Sequence, residues 1–294
     1  LLPFLNGFNK RLPDAIIDLC CTHYNKKVFE GIPFIRNCIS YRPFNFRFSK
    51  IIRSERYQIL YNPKSGPSKT FHHLTNKINA EVKVCLDHKY NNPIYNYSLP
   101  NDNSKHIVEK YSELLHYYDD SSIVSNWLPE FFLKFPSNIN NSKYIAINIS
   151  AGHQSRKIPA EKWIRVIASI LEINNTNIAL FASRKESRDA IKIKSVFKEK
   201  IFYPLESPTL YHASGIINDS EMLLSVDTSL IHLAAALGKP VLGLYNNDKL
   251  NYTRYSPYNT ISENVVSKTG FIRDIDVESI IHSYKLLDLR IRNR

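Results

Sequence analysis

A short polar segment carries the side chains with the clearest chemical meaning in this sequence. Asp227, Thr228, Ser229 and His232 follow the apolar run Met222–Val226, which predicts a buried strand. Thr228 or Ser229 can cap a helix that starts here. A helix that begins at the carboxyl end of a parallel strand directs free backbone N–H groups at an anion, so the segment predicts a phosphate-binding site. Taken singly, Asp227 and Thr228 could be simple helix caps, and His232 could be a core histidine.

The segment continues into a helix end and a second strand. Gly238 is placed to end the helix, and Pro240–Tyr245 predicts another buried strand. The run resembles the nucleotide-sugar signature of glycosyltransferase family 9, the bacterial heptosyltransferases, in which Asp-Thr-Gly, two further residues and His precede Leu-Ala-Ala-Ala-Leu. Ser229 stands where the family usually has Gly, and its Cβ would shift a bound phosphate or sugar slightly. The resemblance implies that the four polar residues of the segment bind the nucleotide sugar.

A basic turn earlier in the chain carries a second resemblance to the same family. The family has a glycine-containing turn, here with Gly152, then Lys, two residues, Pro, and a helix that opens with Glu and Trp. Counting back from Pro159 and Trp163 places the family's lysine at Arg156, with Lys157 beside it. The resemblance implies that one of these two cations, as a catalytic residue, neutralises the departing diphosphate, Arg as a planar fork or Lys as a point charge. A solvated basic loop is the alternative interpretation.

Two weaker matches concern the rest of the donor site. Glu186 follows a predicted strand at the point where the family places a Glu near the nucleotide sugar, although it could equally serve as a helix cap. The turn Ser207–Leu210 resembles the family turn that lies against the adenine. Contact through the backbone at Thr209 would suffice there. The resemblance therefore adds Gly152, Glu186 and Thr209 to the predicted substrate-binding residues.

The elements that must position these side chains alternate between strand and helix, which predicts parallel sheets covered by helices. The alternation stops in the polar stretch Asp119–Lys143 and then begins again. We therefore predict two Rossmann-like domains, at residues 1–138 and 139–294. The family resemblance implies that the first binds the acceptor and the second binds the nucleotide sugar. The second domain should end in a helix, Val277–Leu289. Two such halves form the α/β arrangement called GT-B, whose parallel sheets face a central ligand cleft.

Individual elements follow from the same periodicity. Apolar spacing predicts helices over His106–Tyr117, Ala160–Ile173 and Glu186–Glu199. The polar stretch Asn91–Ser104 predicts a surface loop.

The first half resembles the family more faintly. Leu2–Leu5 and Lys10–Ala15 fit the pattern that follows the family's N-terminal Gly-Asp, and Gln58 stands where a later strand usually has Asp. The resemblance places the family's catalytic Asp a few residues before Leu1, so we expect the chain as given to lack this general base. General-base assistance of this kind is typically worth roughly 10²–10⁴ in rate. Asp18 lies within a predicted strand and is no evident substitute.

The charge of the chain points to anionic partners. The 294 residues carry a net charge of +12, and residues 1–118 hold 17 Lys and Arg against nine Asp and Glu. This basic half favours contact with an acceptor that carries phosphates and with an anionic inner membrane. The candidates for this contact, which could also be ordinary surface charges, are Lys26, Lys27, Arg42, Arg47, Lys50, Arg53 and Arg56. The 18 Tyr and 15 Phe are spread through apolar periodic segments as core aromatics are, and nucleic-acid binding is therefore not expected.

The sequence contains little that indicates a metal site or a redox-active site. The four cysteines, Cys20, Cys21, Cys38 and Cys85, lack metal-ligand spacing and are predicted to be reduced core thiols. Asp274-Ile275-Asp276 has the form of a metal-binding carboxylate pair, but Asp276 is better explained as a helix cap. We expect no metal and no cofactor beyond the ADP-sugar donor.

The family resemblance implies an inverting, metal-independent glycosyltransferase that moves heptose from ADP-heptose to a lipopolysaccharide inner-core acceptor. Because the start of the chain has no signal-peptide pattern, a cytoplasmic protein peripheral to the inner membrane is expected. Two alternatives remain at this point: a non-catalytic relative that keeps the fold as a binding module, and a nucleic-acid-binding protein.

Overall fold

The computed structural model describes residues 1–42, 46–64, 66–87, 93–118, 126–134, 139, 143–203 and 209–293. The chain forms two compact units, Leu1–Val124 and Ser125–Arg294. The division between the units lies inside the connection predicted over Asp119–Lys143, most of which is outside the described residues.

The first unit alternates short helices and strands. In chain order its elements are α1 (Leu2–Arg11), β1 (Ile17–Cys21), α2 (His23–Phe29), β2 (Ile35–Ser40), α3 (Phe46–Ser54), β3 (Arg56–Asn62), α4 (Lys69–Lys77), β4 (Asn79–Leu86), β5 (Tyr97–Leu99) and α5 (Ile107–Ser112), followed by a 3₁₀ helix, Glu113–Tyr117. Strands β1 and β2 pair in parallel, and β3, β4 and β5 form a second parallel sheet. All strand pairs within the described part of this unit are parallel, as the alternation of elements predicts.

A buried carboxylate connects the two sheets of the first unit. Asp18 on β1 accepts hydrogen bonds from Arg36 Nε at 3.0 Å and from Arg36 Nη2 at 2.6 Å on β2. Tyr57 on β3 donates its hydroxyl to Asp18 Oδ2 at 2.7 Å. Burial alone would raise the pKa of the Asp18 carboxyl, but the hydrogen bonds and the charge of Arg36 outweigh it and lower the pKa. Asp18 is therefore a structural anchor held in its ionised form.

The second unit contains a longer series of the same kind. Its elements are β6 (Tyr144–Asn148), α6 (Ala160–Ile173), β7 (Asn177–Phe181), α7 (Ser187–Phe197), β8 (Ile201–Phe202), α8 (Leu210–Asp219), β9 (Leu223–Val226), α9 (Ser229–Ala236), β10 (Val241–Tyr245), α10 (Lys249–Tyr255), β11 (Ser262–Val266) and α11 (Val277–Arg292). Short 3₁₀ helices lie at Glu130–Phe132, Gln154–Arg156, Arg184–Glu186, Lys198–Lys200 and Ile272–Asp274.

The strands of the second unit form one six-stranded sheet in the order β11-β10-β9-β6-β7-β8. All of its pairs are parallel. The chain builds the sheet outward from β6 to β8, then crosses back and builds it outward from β9 to β11 on the other side. This doubly wound order has its switch point between β6 and β9, and the connections that leave the carboxyl ends of these two strands lead to opposite sides of the sheet. Ligands of doubly wound proteins bind in the crevice at such a point. Residues of β6, β9 and β10 are buried throughout, so the sheet is the rigid base of that edge.

Most of the elements predicted in the second unit are confirmed. Helix α6 spans the predicted residues, and α9 ends as predicted at Gly238, whose φ of 69° lies in the left-handed region. The N–H of Gly238 donates to the Ala235 carbonyl at 3.0 Å, and the N–H of Lys239 donates to the Ala234 carbonyl at 2.9 Å. These two bonds are a Schellman cap, which satisfies the last carbonyls of the helix.

The structure differs from the predicted bounds of three helices and from one predicted loop. The last helix, predicted over Val277–Leu289, continues to Arg292. The helix predicted over Glu186–Glu199 is α-helical only from Ser187 to Phe197, with 3₁₀ turns on both sides. The helix predicted over His106–Tyr117 changes from α to 3₁₀ geometry after Ser112, whose hydroxyl bonds back to the Val108 carbonyl at 2.8 Å. The loop predicted over Asn91–Ser104 contains β5, which pairs with β4.

A substitution on β10 should test how tightly the sheet is packed. An added Cβ at Gly243 would lie 2.6 Å from Cε2 of Tyr245 and 2.7 Å from Oδ1 of Asn264. Because Tyr245 is fully buried and has little room to move, Gly243→Ala should lower the free energy of unfolding by about 1–3 kcal/mol. Denaturant unfolding measures this loss. Gly270→Ala is the control, since its added Cβ meets nothing within 4 Å; equal losses in both variants would contradict the packing argument.

No helix in the described part of the chain combines the length and the apolar character that crossing a membrane requires.

Candidate functional site

An ion pair joins the loops that follow β6 and β9 at the switch point of the sheet. Arg156 lies in the 3₁₀ turn after β6, and Asp227 directly follows β9. Nη2 of Arg156 lies 3.1 Å from Oδ2 of Asp227, and Nη1 donates to the Asp227 backbone carbonyl at 3.0 Å. The Asp227 side chain is 7% exposed and the Arg156 side chain 30%. The guanidinium is therefore held in place but remains open to solvent on one side.

A buried amide holds the chain on both sides of Asp227. Asn148, the last residue of β6, donates from Nδ2 to Ser225 Oγ and to Thr228 Oγ1, each at 3.0 Å. Its Oδ1 accepts from the backbone N–H of Ser150 at 3.1 Å. Thr228 occupies the N-cap position of α9, but its hydroxyl is turned to Asn148 and makes no capping bond. Capping by this side chain, considered in the sequence analysis, is therefore wrong.

The start of α9 is consequently suited to an anion. Among the residues that the structure describes, no side chain caps this eight-residue helix at Thr228. Ser229, its first residue, is exposed. The uncapped N–H groups and the positive end of the helix dipole follow Asp227 directly in the chain. They lie at the same sheet edge as Arg156, which is bonded to Asp227. The combination can bind a phosphate group.

Helix α10 covers the carboxylate from the other side. Asn251 donates from Nδ2 to Asp227 Oδ2, the oxygen that also faces Arg156. The helix is fixed by Tyr252, whose ring lies 5.1 Å from that of Tyr245 on β10. Burial raises the pKa of Asp227, and the charge of Arg156 with the Asn251 hydrogen bond only partly offsets this. Asn251 thus helps to keep a buried carboxylate ionised.

His232 lies one turn into α9 and is half buried. Its ring meets the ring of Tyr255 on α10 edge to face, with the centroids 6.0 Å apart. The histidine therefore contacts α10, the helix whose Asn251 bonds to Asp227.

The two predicted cations bind different partners. Arg156 pairs with Asp227, whereas Nζ of Lys157 lies 3.5 Å from Oδ2 of Asp189 on α7. Adjacent residues thus point to different neighbours, and only Arg156 bonds to the polar segment after β9. Of the predicted site residues, Arg156 is bonded to Asp227, and Thr228, the residue after Asp227, is bonded to Asn148.

The remaining predicted residues make local interactions of their own. Glu186 is buried, and the hydroxyl of Ser183 donates to its carboxylate. Thr209 caps α8 by accepting from the N–H of His212 at 3.3 Å. Gly152 is exposed, and an added Cβ would meet nothing within 4 Å, so protein packing does not require a glycine there. Two other residues of the predicted adenine turn, Ser207 and Pro208, lie outside the described residues, and the fourth, Leu210, is the first residue of α8.

Sequence reasoning missed Asn148 and Asn251. The sequence does contain an indication of the role of Asn148, since a buried amide at the end of the otherwise apolar strand Tyr144–Asn148 has to find a hydrogen-bond partner inside the protein. The sequence contains no such indication for Asn251, because its hydrogen-bond partner, Asp227, lies 24 residues away in the chain.

The described residues contain no group of three or more His, Cys, Asp and Glu side chains arranged to hold a metal ion. Asp276 caps α11 as predicted, accepting from the backbone N–H of Ser279 at 2.6 Å and from its hydroxyl at 2.8 Å. Asp274 instead accepts from the hydroxyl of Thr269.

A doubly wound parallel sheet with a cation and an uncapped helix start at its switch point is an arrangement typical of nucleotide-binding α/β proteins. Residues 46–284 match the model of glycosyltransferase family 9 (heptosyltransferase), and the chain belongs to this family. It is therefore a glycosyltransferase, and its family membership supports a role in transferring heptose in lipopolysaccharide biosynthesis.

Individual relatives agree with this assignment. The chain is 24% identical over 250 residues to the protein named "Putative lipopolysaccharide heptosyltransferase 4" of Escherichia coli K12, covering 81% of this chain and 68% of the relative. The solved structure of Escherichia coli heptosyltransferase WaaC with ADP has a TM-score of 0.80 at 17% identity and covers 97% of this chain and 94% of its own. The fold is thus of the GT-B class, as the alternating elements and the family resemblance predict.

One more distant solved structure is of a heptosyltransferase that contains iron. The dodecameric iron-containing heptosyltransferase TibC, in complex with ADP-D-beta-D-heptose, has a TM-score of 0.57 at 11% identity and covers 99% of this chain and 73% of its own.

Proposed function

We propose that this glycosyltransferase is an inverting, metal-independent enzyme that transfers heptose from ADP-heptose to a lipopolysaccharide inner-core acceptor. The observation that carries the proposal is the Arg156–Asp227 pair at the switch point, beside the uncapped start of α9. A diphosphate needs positive charge and N–H donors, and a sugar needs a fixed hydrogen-bond acceptor. The site offers all three within one short sheet edge. The solved relative that holds ADP supports an adenine nucleotide as the donor's leaving group.

In the proposed mechanism, the acceptor hydroxyl gives its proton to the carboxylate general base that the family resemblance implies and attacks the anomeric carbon of heptose, while the bond to the diphosphate breaks on the opposite face. The departing ADP gains negative charge, which Arg156 and the N–H groups of Thr228 and Ser229 would stabilise. Asp227 would accept a hydrogen bond from a heptose hydroxyl. Arg156 is bound to Asp227 without ligand, so the diphosphate has to share or displace that ion pair.

The other predicted residues have supporting roles in this proposal. His232 and Gly152 would line the sugar and phosphate positions, and the backbone at Thr209 would lie against the adenine. Glu186 would bind the nucleotide sugar only if it exchanged its bond to Ser183. Lys157, paired with Asp189, would remain outside the reacting groups.

Comparison of the two cations tests the assignment of Arg156. Arg156→Ala should weaken ADP binding by about 1.5–3 kcal/mol, since one charge-assisted contact is lost. Lys157→Ala, the matched control, should change the affinity much less because Lys157 is directed at Asp189. Calorimetric titration with ADP measures both. A larger loss for Lys157→Ala would show that the basic turn presents the other cation to the diphosphate.

Contact of the basic first unit with an anionic membrane is a further part of the proposal. Lys26 and Arg56 are in ion pairs with Glu30 and Glu81, which reduces their contribution. Arg42, Lys50 and Arg53 are exposed, while the side chain of Arg47 lies outside the described residues.

Binding to vesicles that contain anionic lipid should therefore fall steeply as salt is raised, because basic residues near such a surface contribute about 1 kcal/mol each and are screened. Reversing three of the exposed candidate charges (Arg42→Glu, Lys50→Glu and Arg53→Glu) should strongly reduce sedimentation with the vesicles and leave ADP binding unchanged. Undiminished sedimentation of this triple variant would identify the three residues as ordinary surface charges.

A further inference from the structure

Two thiols meet on one face of the first sheet. Cys21 is the last residue of β1, and Cys38 lies on β2. Their Sγ atoms are 3.6 Å apart, so that one thiol can donate to the other. The Cys38 thiol also lies 3.8 Å from the backbone carbonyl of Lys26 on α2. These two sulfurs are in van der Waals contact.

The strand register separates this pair from the other cysteines. Cys20 pairs in register with Ile39, and both pack against the buried cluster of Phe48, Ile52 and Leu74. Because side chains alternate between the faces of a strand, Cys21 and Cys38 lie on the opposite face, beneath α2. Cys85 lies in the other sheet of this unit, with its Sγ 3.6 Å from the Ser98 hydroxyl. Cys20 therefore packs against apolar side chains and Cys85 lies beside a serine hydroxyl, and neither lies on the face that Cys21 and Cys38 share.

The pair is within reach of a covalent bond. A disulfide has a sulfur–sulfur distance of about 2.05 Å, so the two Sγ atoms would have to approach by about 1.5 Å. Because Cys21 is in register with Ser40 and Cys38 with Leu19, the two cysteines are diagonal neighbours, and the backbone at the end of β1 has to shift for the bond to form. Cys21 is the last residue of β1, and the next residue, Thr22, is already the N-cap of α2. The chain after Cys21 therefore no longer belongs to the sheet. Both thiols are half buried and therefore reachable by a small reagent.

We propose that Cys21 and Cys38 form a reversible disulfide by exchange with a low-molecular-weight disulfide such as oxidised glutathione. In the first step the thiolate of one cysteine attacks a glutathione sulfur, forms a mixed disulfide and releases one glutathione thiolate. In the second step the other cysteine loses its proton, attacks the protein sulfur of the mixed disulfide and releases the second glutathione. The two protein thiols are oxidised, and the glutathione disulfide is reduced to two thiols. The proposal is independent of the heptosyl transfer.

The two steps should differ in rate. Burial, with the hydrogen bond to Cys38, raises the pKa of Cys21 to about 12, so little thiolate is present at neutral pH and the first attack is slow. The second attack starts from sulfurs already in contact and should be fast. The mixed disulfide should therefore not accumulate in the parent protein.

The bond would close the crossover from β1 through α2 to β2, since the two cysteines are 17 positions apart. A cross-link of this kind restricts the unfolded chain more than the folded one. Oxidation should accordingly raise the thermal midpoint of the protein.

Intact-mass measurement after incubation with oxidised glutathione at mildly alkaline pH, followed by alkylation, tests the proposal. The parent and Cys85→Ser are expected to lose two hydrogens, carry no glutathione and yield a linked Cys21–Cys38 peptide. Cys21→Ser and Cys38→Ser should instead retain glutathione on the remaining cysteine of the pair. Reductant should restore the parent's thiols and its lower thermal midpoint.

Three results would overturn the proposal: a parent protein that retains all four alkylated thiols, a linked peptide that contains Cys20 or Cys85, or glutathione retained by the parent as stably as by the two serine variants.

Discussion

Replacing Asp227 with Asn is expected to lower kcat/KM for the nucleotide sugar by on the order of 10²–10³-fold, the loss typical when one preorganised group of a reaction site is removed. Asn keeps the size of the side chain but removes the charge that holds Arg156 and the acceptor that the sugar would use. Asp248→Asn is the matched control. It removes a neighbouring negative charge at the N-cap of α10, where Asn caps as well as Asp. The control should keep near-parental activity.

The Asp227→Asn variant should lose activity without losing its fold. Burial raises the pKa of Asp227 above its value in the unfolded chain, so ionisation of this group opposes folding. The parent therefore loses stability as pH rises from about 3.9, the usual Asp value, through the raised pKa of the folded state. The amide of the variant has no such titration. Denaturant unfolding at pH 7 should find the variant as stable as the parent, and a large loss of stability would assign Asp227 a structural role instead.

The second large effect is expected in the first unit. Arg36→Ala leaves the buried Asp18 carboxylate with hydrogen bonds from the neutral side chains of Tyr57 and Asn37 and without its cation. Breaking a fully buried pair from one side costs about 3–5 kcal/mol, and the 40% exposure of Arg36 reduces this to about 2–3 kcal/mol. Arg56→Ala is the control, since its ion pair with Glu81 is exposed on both sides and should be worth about 0–1 kcal/mol. Denaturant unfolding compares the two.

The pH dependence gives this prediction a second test. The pKa of Asp18 is lowered in the folded state, so its contribution to stability is fully present above the unfolded value of about 3.9. It is lost as pH falls through the lowered folded pKa. The difference between the parent and Arg36→Ala should therefore shrink in acid. A difference that is constant between about pH 7 and about pH 2 would exclude the carboxylate as its source.

The sequence predicted those parts of the site that are local in the chain. Met222–Val226, Gly238 and the residues between them specify a strand, a helix and a Schellman cap by their own order. Helix α6 follows from the apolar face that packs Trp163, Val166 and Ile170 into the core. These elements need no distant residue to define them.

The parts that could not be predicted depend on contacts between distant residues. The Arg156–Asp227 bond spans 71 positions and exists because the sheet order places β6 beside β9. The contact of Asn251 requires α10, a seven-residue helix without a buried residue and hence without apolar periodicity. In the same way, β11 is an edge strand that contains Ser262 and Glu263, and β5 has only three residues. Short or edge elements are stabilised by neighbours that sequence patterns do not identify.

Transfer of a single heptose is the most direct test of the proposed function. The full-length protein would be incubated with ADP-heptose and heptose-deficient lipopolysaccharide, with EDTA present, and both ADP release and the mass and anomeric configuration of the product would be recorded. We expect the acceptor to gain one heptose of inverted configuration, with one ADP released for each heptose transferred, and Arg156→Ala to be severely impaired. Transfer from a different nucleotide sugar only, a product that retains the donor's configuration, or activity abolished by EDTA would contradict the account.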